Sequence, residues 1–163
     1  MEPVTVIGAG LAGCECAWQL ARRGIPVILR EMKPQKSTPA HHSPDFAELV
    51  CSNSLRSDQI ENAVGLLKEE LRRLDSVILA CADAHRVEAG AALAVDRHAF
   101  AAAVTEQIRV HPLITVVEGE VTAVPEEGQV VIAAGPLASE ALSADIQRFL
   151  GGDSALSFFD AAA

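Results

Sequence analysis

The residues Gly8-Ala9-Gly10-Leu11-Ala12-Gly13 space three glycines as GxGxxG. The chemistry of that pattern is the binding of a dinucleotide through its pyrophosphate. Gly8 permits a tight turn, Gly10 has no Cβ to hold phosphate away from the backbone, and Gly13 lets a helix pack close to a strand. The unpaired amides and partial positive charge at a helix start complement the phosphates. Glu31 follows Gly13 by 18 residues. Its carboxylate can accept hydrogen bonds from ribose hydroxyls and would repel a 2′-phosphate. A second group is Phe46-Ala47-Glu48-Leu49-Val50-Cys51-Ser52-Asn53-Ser54-Leu55-Arg56-Ser57. Arg56 and the donors Ser52, Asn53 and Ser54 can support a thiolate at Cys51, the form that does nucleophilic chemistry. The competing reading of Cys51 is a buried structural cysteine. His41 and His42 precede it as proton carriers, phosphate contacts or exposed loop residues. Cys14, Cys16 and Cys81 read as packing residues. The four cysteines form no CxxC pair, and no zinc spacing is present.

These groups need elements to hold them. Val4 to Ile7 reads as a buried strand, Gly10 to Arg23 as a helix closed by Gly24, and Ile25 to Leu29 as a second strand ending near Glu31. This is a βαβ unit with a right-handed crossover, the context that gives GxGxxG its meaning. Residues 33–60, broken by Pro34, Pro39 and Pro44, read as a long functional loop. Glu61 to Leu74 reads as an amphipathic helix with Leu66, Leu67, Leu71 and Leu74 on one side and Lys68, Glu69, Arg72 and Arg73 on the other. Ser76 to Ala82 reads as a strand, Arg86 to Val95 as a short hairpin, and Asp96 as the cap of a helix running to about Arg109. Ile114–Glu118, Glu120–Val124 and Gln129–Ala133 read as three short strands, and Pro136 to Leu150 as a last helix. The fold class is therefore α/β: a Rossmann-like domain with a parallel sheet, helices on both faces and a small three-stranded β-meander.

The composition agrees. Half of the 163 residues are hydrophobic and the mean hydropathy is +0.24, enough for one core. Thirteen Lys and Arg against 22 Asp and Glu give a net charge of −9, which excludes a chain-wide basic surface for nucleic acid. No apolar stretch approaches the ~20 residues of a membrane helix. Met1-Glu2-Pro3 carries no basic signal region. The expected location is the cytoplasm, without a membrane partner.

Gln129 to Pro136 is a strand running into Gly135-Pro136. Its position after the βαβ unit, a helix and short strands resembles the FAD domain of enzymes with two dinucleotide domains, and favours FAD over NAD. Together with Glu31-Met32-Lys33-Pro34, Thr38-Pro39-Ala40-His41, the Cys51 segment, Leu93-Ala94-Val95-Asp96-Arg97 and Ala134-Gly135-Pro136-Leu137-Ala138-Ser139, the chain resembles the folate- and FAD-dependent tRNA (uracil-5-)-methyltransferases. The related flavoproteins that modify the tRNA wobble uridine are less similar around Cys51. The alternative is an FAD- or NAD-dependent oxidoreductase with no tRNA role.

The resemblance implies an enzyme that forms 5-methyluridine in the tRNA T-loop. The carbon comes from 5,10-methylenetetrahydrofolate and the electrons from NAD(P)H, by way of the flavin. It implies that Gly8, Ala9, Gly10, Leu11, Ala12 and Gly13 hold the FAD pyrophosphate, that Glu31 holds the adenosine ribose, and that Cys51 is a catalytic thiol: base, nucleophile or reversible flavin adduct. It also implies that residues 1–163 are a truncated FAD-binding domain, with Phe158-Phe159-Asp160 leading into an absent folate- and tRNA-binding remainder. On that reading the isolated chain is inactive.

Overall fold

A computed structural model describes residues 1–151; the expectation about Phe158 to Asp160 lies outside them. Strand β1 (Val4–Ile7), helix α1 (Leu11–Arg22) and strand β2 (Val27–Glu31) form the expected βαβ unit. β6 (Ile114–Glu118) and β7 (Val130–Ile132) complete a parallel sheet of order β6-β2-β1-β7. The register sets Val6 beside Leu29 and Val131, and Leu29 beside Val116. Side chains alternate across a strand. Val4, Val6, Val27 and Leu29 accordingly enter the core on one face, with Ala17 and Ala21 of α1 and Phe100, Val104 and Ile108 of α4 (Arg97–Val110). On the other face Ile7 and Arg30 line a cavity to which α5 (Glu140–Phe149) contributes Leu142.

The Rossmann-like α/β architecture is present, and so is a small three-stranded sheet, but other segments build it. β3 (Ser54–Ser57), β4 (Arg86–Val87) and β5 (Ala92–Val95) form an antiparallel sheet of order β3-β5-β4. β4 and β5 are the hairpin expected at 86–95, and β3 arises inside the expected loop. The segments at 114–118 and 129–133 instead join the parallel sheet. Residues 120–124 form no strand; the Val124 amide donates to Asp145 at 2.7 Å.

Two further local expectations fail. Residues 77–84 are helix α3 (Val77–Ala84), not a strand. A short apolar run carries no decisive period. The structure is decided by Ser76, whose hydroxyl accepts the Leu79 amide and donates to Glu15 at 2.6 Å. Losing both bonds from a buried position should make Ser76→Ala cost about 1–2 kcal/mol in urea-unfolding stability. In helix α2 (Ala63–Arg73) the expected faces hold only in part: Leu71 packs against the core and Arg73 is exposed, but Leu66 and Leu67 are exposed, as is Leu74 beyond it, and Lys68 is buried. Gly65 explains the docking, because a Cβ there would lie 1.9 Å from the Gln59 carbonyl oxygen. Lys68 meanwhile ends its apolar stem in hydrogen bonds to the Ser57 and Val64 carbonyls. The cap by Asp96 is as expected: its carboxylate accepts the His98 and Ala99 amides.

Candidate functional site

A cavity of about 290 Å³ opens beyond the carboxyl ends of β1, β2 and β7. Strand order reverses there, because β1 is followed by β2 on one side and paired with β7 on the other. Such a crevice is where open α/β sheets take ligands. Residues 8–12 line it, with Glu31, Lys33 and the turn at 133–136.

The three glycines have the geometry their spacing demands. Gly8 has φ +98°, and a Cβ on it would lie 2.8 Å from the Ala133 carbonyl oxygen. Gly13 is closed by packing: its Cβ would sit 1.8 Å from the Gly8 carbonyl oxygen. Gly10 faces open space, with nothing within 4 Å. It is also the N-cap of α1, with no side-chain cap and no acidic residue in the first turn. The opening amides of α1 thus keep both their donors and their partial charge for an anion.

Glu31 is buried. One of its oxygens accepts the Ala9 amide at 2.7 Å and the other accepts the Lys33 amide at 2.9 Å. An ionised carboxylate has about four acceptor positions, so capacity for a diol remains after the turn has been fixed.

The Cys51 segment is fastened to the glycine turn. The Ala47 amide donates to the Ala9 carbonyl at 2.9 Å, and the Phe46 amide donates to Thr105 at 2.8 Å. Phe46 is fully buried beneath the Arg109 guanidinium. On the far side of Cys51, Asn53 and Val95 exchange backbone and side-chain hydrogen bonds. Ala47, Glu48 and Val50 line the cavity. Cys51 is exposed immediately after Val50 and belongs to no disulfide. The buried-cysteine reading fits the other thiols better. Burial pushes the Cys14 and Cys81 thiols up, and half-buried Cys16 as well, which suppresses their thiolates.

Sequence reasoning missed the fastener of this loop. Lys33 is buried, and its ammonium donates to the Ser43 and Asp45 carbonyls and pairs with Glu48 at 3.4 Å. No local pattern signals a pair 15 residues apart. Burial pushes the Glu48 carboxyl up, but the His42 amide, the Lys33 charge and the Ser43 amide outweigh it and hold it below the usual glutamate value. A depressed carboxyl stabilises the fold above the unfolded value and loses that contribution as pH falls through the folded one. The 41–50 loop should therefore loosen on acidification below about pH 4.5. Limited proteolysis between pH 6 and 3 should show cleavage in this loop rising with acid, and Glu48→Gln should flatten that profile. His41 lines the cavity, its Nδ1 2.7 Å from the Thr38 hydroxyl. Burial and then the Lys33 charge lower its pKa, favouring the neutral ring. His42 is not among the lining residues; it serves through its backbone amide.

Among the described residues no cluster of His, Cys, Asp and Glu suits a metal ion, and no helix is long and apolar enough to cross a membrane.

With this geometry the chain can be set beside known proteins. The sequence profile of glucose inhibited division protein A matches residues 3–163. The chain belongs to that family. Within the glucose inhibited division protein A family it is 62% identical over 160 residues to the methylenetetrahydrofolate–tRNA-(uracil-5-)-methyltransferase TrmFO of Desulforudis audaxviator, covering 98% of this chain and 36% of that protein. It is 62% identical over 162 residues to TrmFO of Bacillus subtilis, covering 99% of this chain and 37% of that protein. The chain thus spans little more than a third of these relatives' length. Among solved structures, the GidA-related protein from Thermus thermophilus superposes with TM-score 0.55 at 15% identity, covering 90% of this chain and 68% of that one. NikD, an unusual amino acid oxidase essential for nikkomycin biosynthesis, superposes with TM-score 0.52 at 18% identity, covering 91% and 53%. Those two likenesses concern the fold.

Proposed function

We propose that residues 1–163 are the FAD-binding part of a folate-dependent tRNA (uracil-5-)-methyltransferase working in the cytoplasm. The observation that carries this reading is the cradle at Gly10, open and uncapped, with the Cys51 loop bonded to its rim through Ala47 and Ala9. The high identity to TrmFO proteins over nearly the whole chain supports it.

The residues fit FAD. Residues 8–13 receive the pyrophosphate at the start of α1, and Glu31 takes the adenosine ribose. FAD bound there supplies the two-electron reduction of a carbon drawn from 5,10-methylenetetrahydrofolate, with NAD(P)H as the source of electrons. The chain's own residues prepare the site. Lys33 and Glu48 fasten the loop that forms one wall of the cavity, and Val50, Leu137 and Leu142 add apolar side chains to its lining. Uracil C5 is a weak nucleophile, and a thiolate adding at C6 makes C5 reactive. Cys51 is the thiol of this chain suited to that work, being exposed and next in sequence to the lining residue Val50, while the other three are suppressed by burial.

The test is release of tritium from C5-labelled uridine in T-loop RNA by a full-length form carrying this sequence, supplied with methylenetetrahydrofolate and NADH. Release that requires the folate supports the assignment. A flavin-loaded enzyme that releases none argues against it.

A further inference from the structure

One charged side chain in the cavity has no role in this scheme. Arg30 lies on β2 next to Glu31, and alternation along the strand turns it to the opposite face. There it lines the cavity, and its Nε is shut off from solvent with no hydrogen-bond partner. Its register neighbours are Ile7 on β1 and Val117 on β6. The sheet therefore flanks this cation with apolar side chains only, and among the described residues no carboxylate forms an ion pair with it. Glu31, one residue away, spends its two oxygens on the Ala9 and Lys33 amides. A buried donor left unsatisfied carries a desolvation cost. That cost is offset if a ligand completes the bond.

The position of Arg30 identifies which part of a ligand it meets. The cradle at Gly10 lies above β1, the turn at 133–136 lies beyond β7, and Arg30 with Glu31 ends β2 on the opposite side. A dinucleotide whose pyrophosphate sits at Gly10 and whose ribose meets Glu31 has its adenosine half above β2. We propose that Arg30 is a specificity residue for that half, its Nε–H donating to an acceptor on the adenosine and its planar guanidinium lying along the purine. This inference rests on the dinucleotide reading given above.

The test compares the chain with its Arg30→Met, Arg30→Lys and Arg30→Gln variants by calorimetric titration with FAD and with ADP, and by thermal unfolding without ligand. Arg30→Met should weaken FAD and ADP by the same factor, about tenfold or more, the scale of a hydrogen bond from a charged donor. Arg30→Lys, which keeps the charge but not the plane, should recover only part. Without ligand, removing a side chain whose buried Nε–H has no acceptor should leave the unfolding temperature unchanged or raise it. Unchanged ADP affinity in Arg30→Met, with normal binding by the unaltered chain, overturns the role of Arg30 and leaves the dinucleotide reading standing. Loss of FAD affinity alone overturns it too, because the contact is then on the flavin half. Failure of both Arg30→Met and Arg30→Gln to fold contradicts it by marking Arg30 as a structural residue. An unaltered chain that binds neither FAD nor ADP removes the dinucleotide reading and this inference with it.

Discussion

Gly10→Ala and Gly13→Ala should both weaken FAD binding, but only Gly13→Ala should destabilise the fold, although the two positions are three residues apart. At Gly13 the new methyl would meet the Gly8 carbonyl oxygen at 1.8 Å. Backbone cannot swing aside as a flexible side chain can, so α1 must lift from β1. The cost should reach about 3 kcal/mol, the upper part of the range for overpacking. Because that shift distorts the Gly8 turn, FAD binding should fall with stability. At Gly10 the methyl enters empty space, and the unfolding free energy should stay within about 0.5 kcal/mol of the original. The same methyl occupies the approach of the pyrophosphate to the α1 amides. FAD affinity should drop by about a hundredfold, equivalent to about 2.7 kcal/mol of lost contact. Urea unfolding paired with fluorescence titration separates the two effects. A Gly10→Ala chain that binds FAD normally removes the phosphate from this turn.

The second large effect is expected at Cys51. In a full-length form, Cys51→Ala should lower tritium release from T-loop uridine by about a thousandfold or more, the scale on which covalent catalysis fails without its nucleophile. Flavin affinity should change less than about twofold, because Cys51 is not among the cavity's lining residues. A serine at the same position should fare little better, since a hydroxyl is a far weaker acid than a thiol. Undiminished release from Cys51→Ala would remove Cys51 from the chemistry and leave the methyltransferase reading to be carried by another nucleophile.

The parts of the fold legible in the sequence are those ruled by local physics. The glycine spacing specified a turn, an approach and a close packing, each a property of one residue and its backbone. Asp96 declared a helix start because the cap bond spans only three residues. The failures share a different cause. Residues 77–84 carry helix and strand signals alike, and a bond from Ser76 to Glu15, 61 residues away, helps decide between them. In α2 the apolar leucines count toward one face, yet tertiary contact at Gly65 turns the helix so that Lys68 lies inside. The Lys33–Glu48 fastener and the uncompensated Arg30 become visible only once the loop and the sheet are in place. Cys51 stood out by its neighbours in the sequence, whereas its nearness to the cavity depends on the Ala47–Ala9 bond.

Everything proposed here requires that a flavin dinucleotide settle on the first turn of α1. The most direct measurement is the absorbance of the purified chain at about 350–500 nm, before and after FAD is added and the excess removed. The expected result is a flavin band retained at one equivalent per folded chain and displaced by ADP. A chain that is folded by circular dichroism yet stays colourless after exposure to FAD would contradict it.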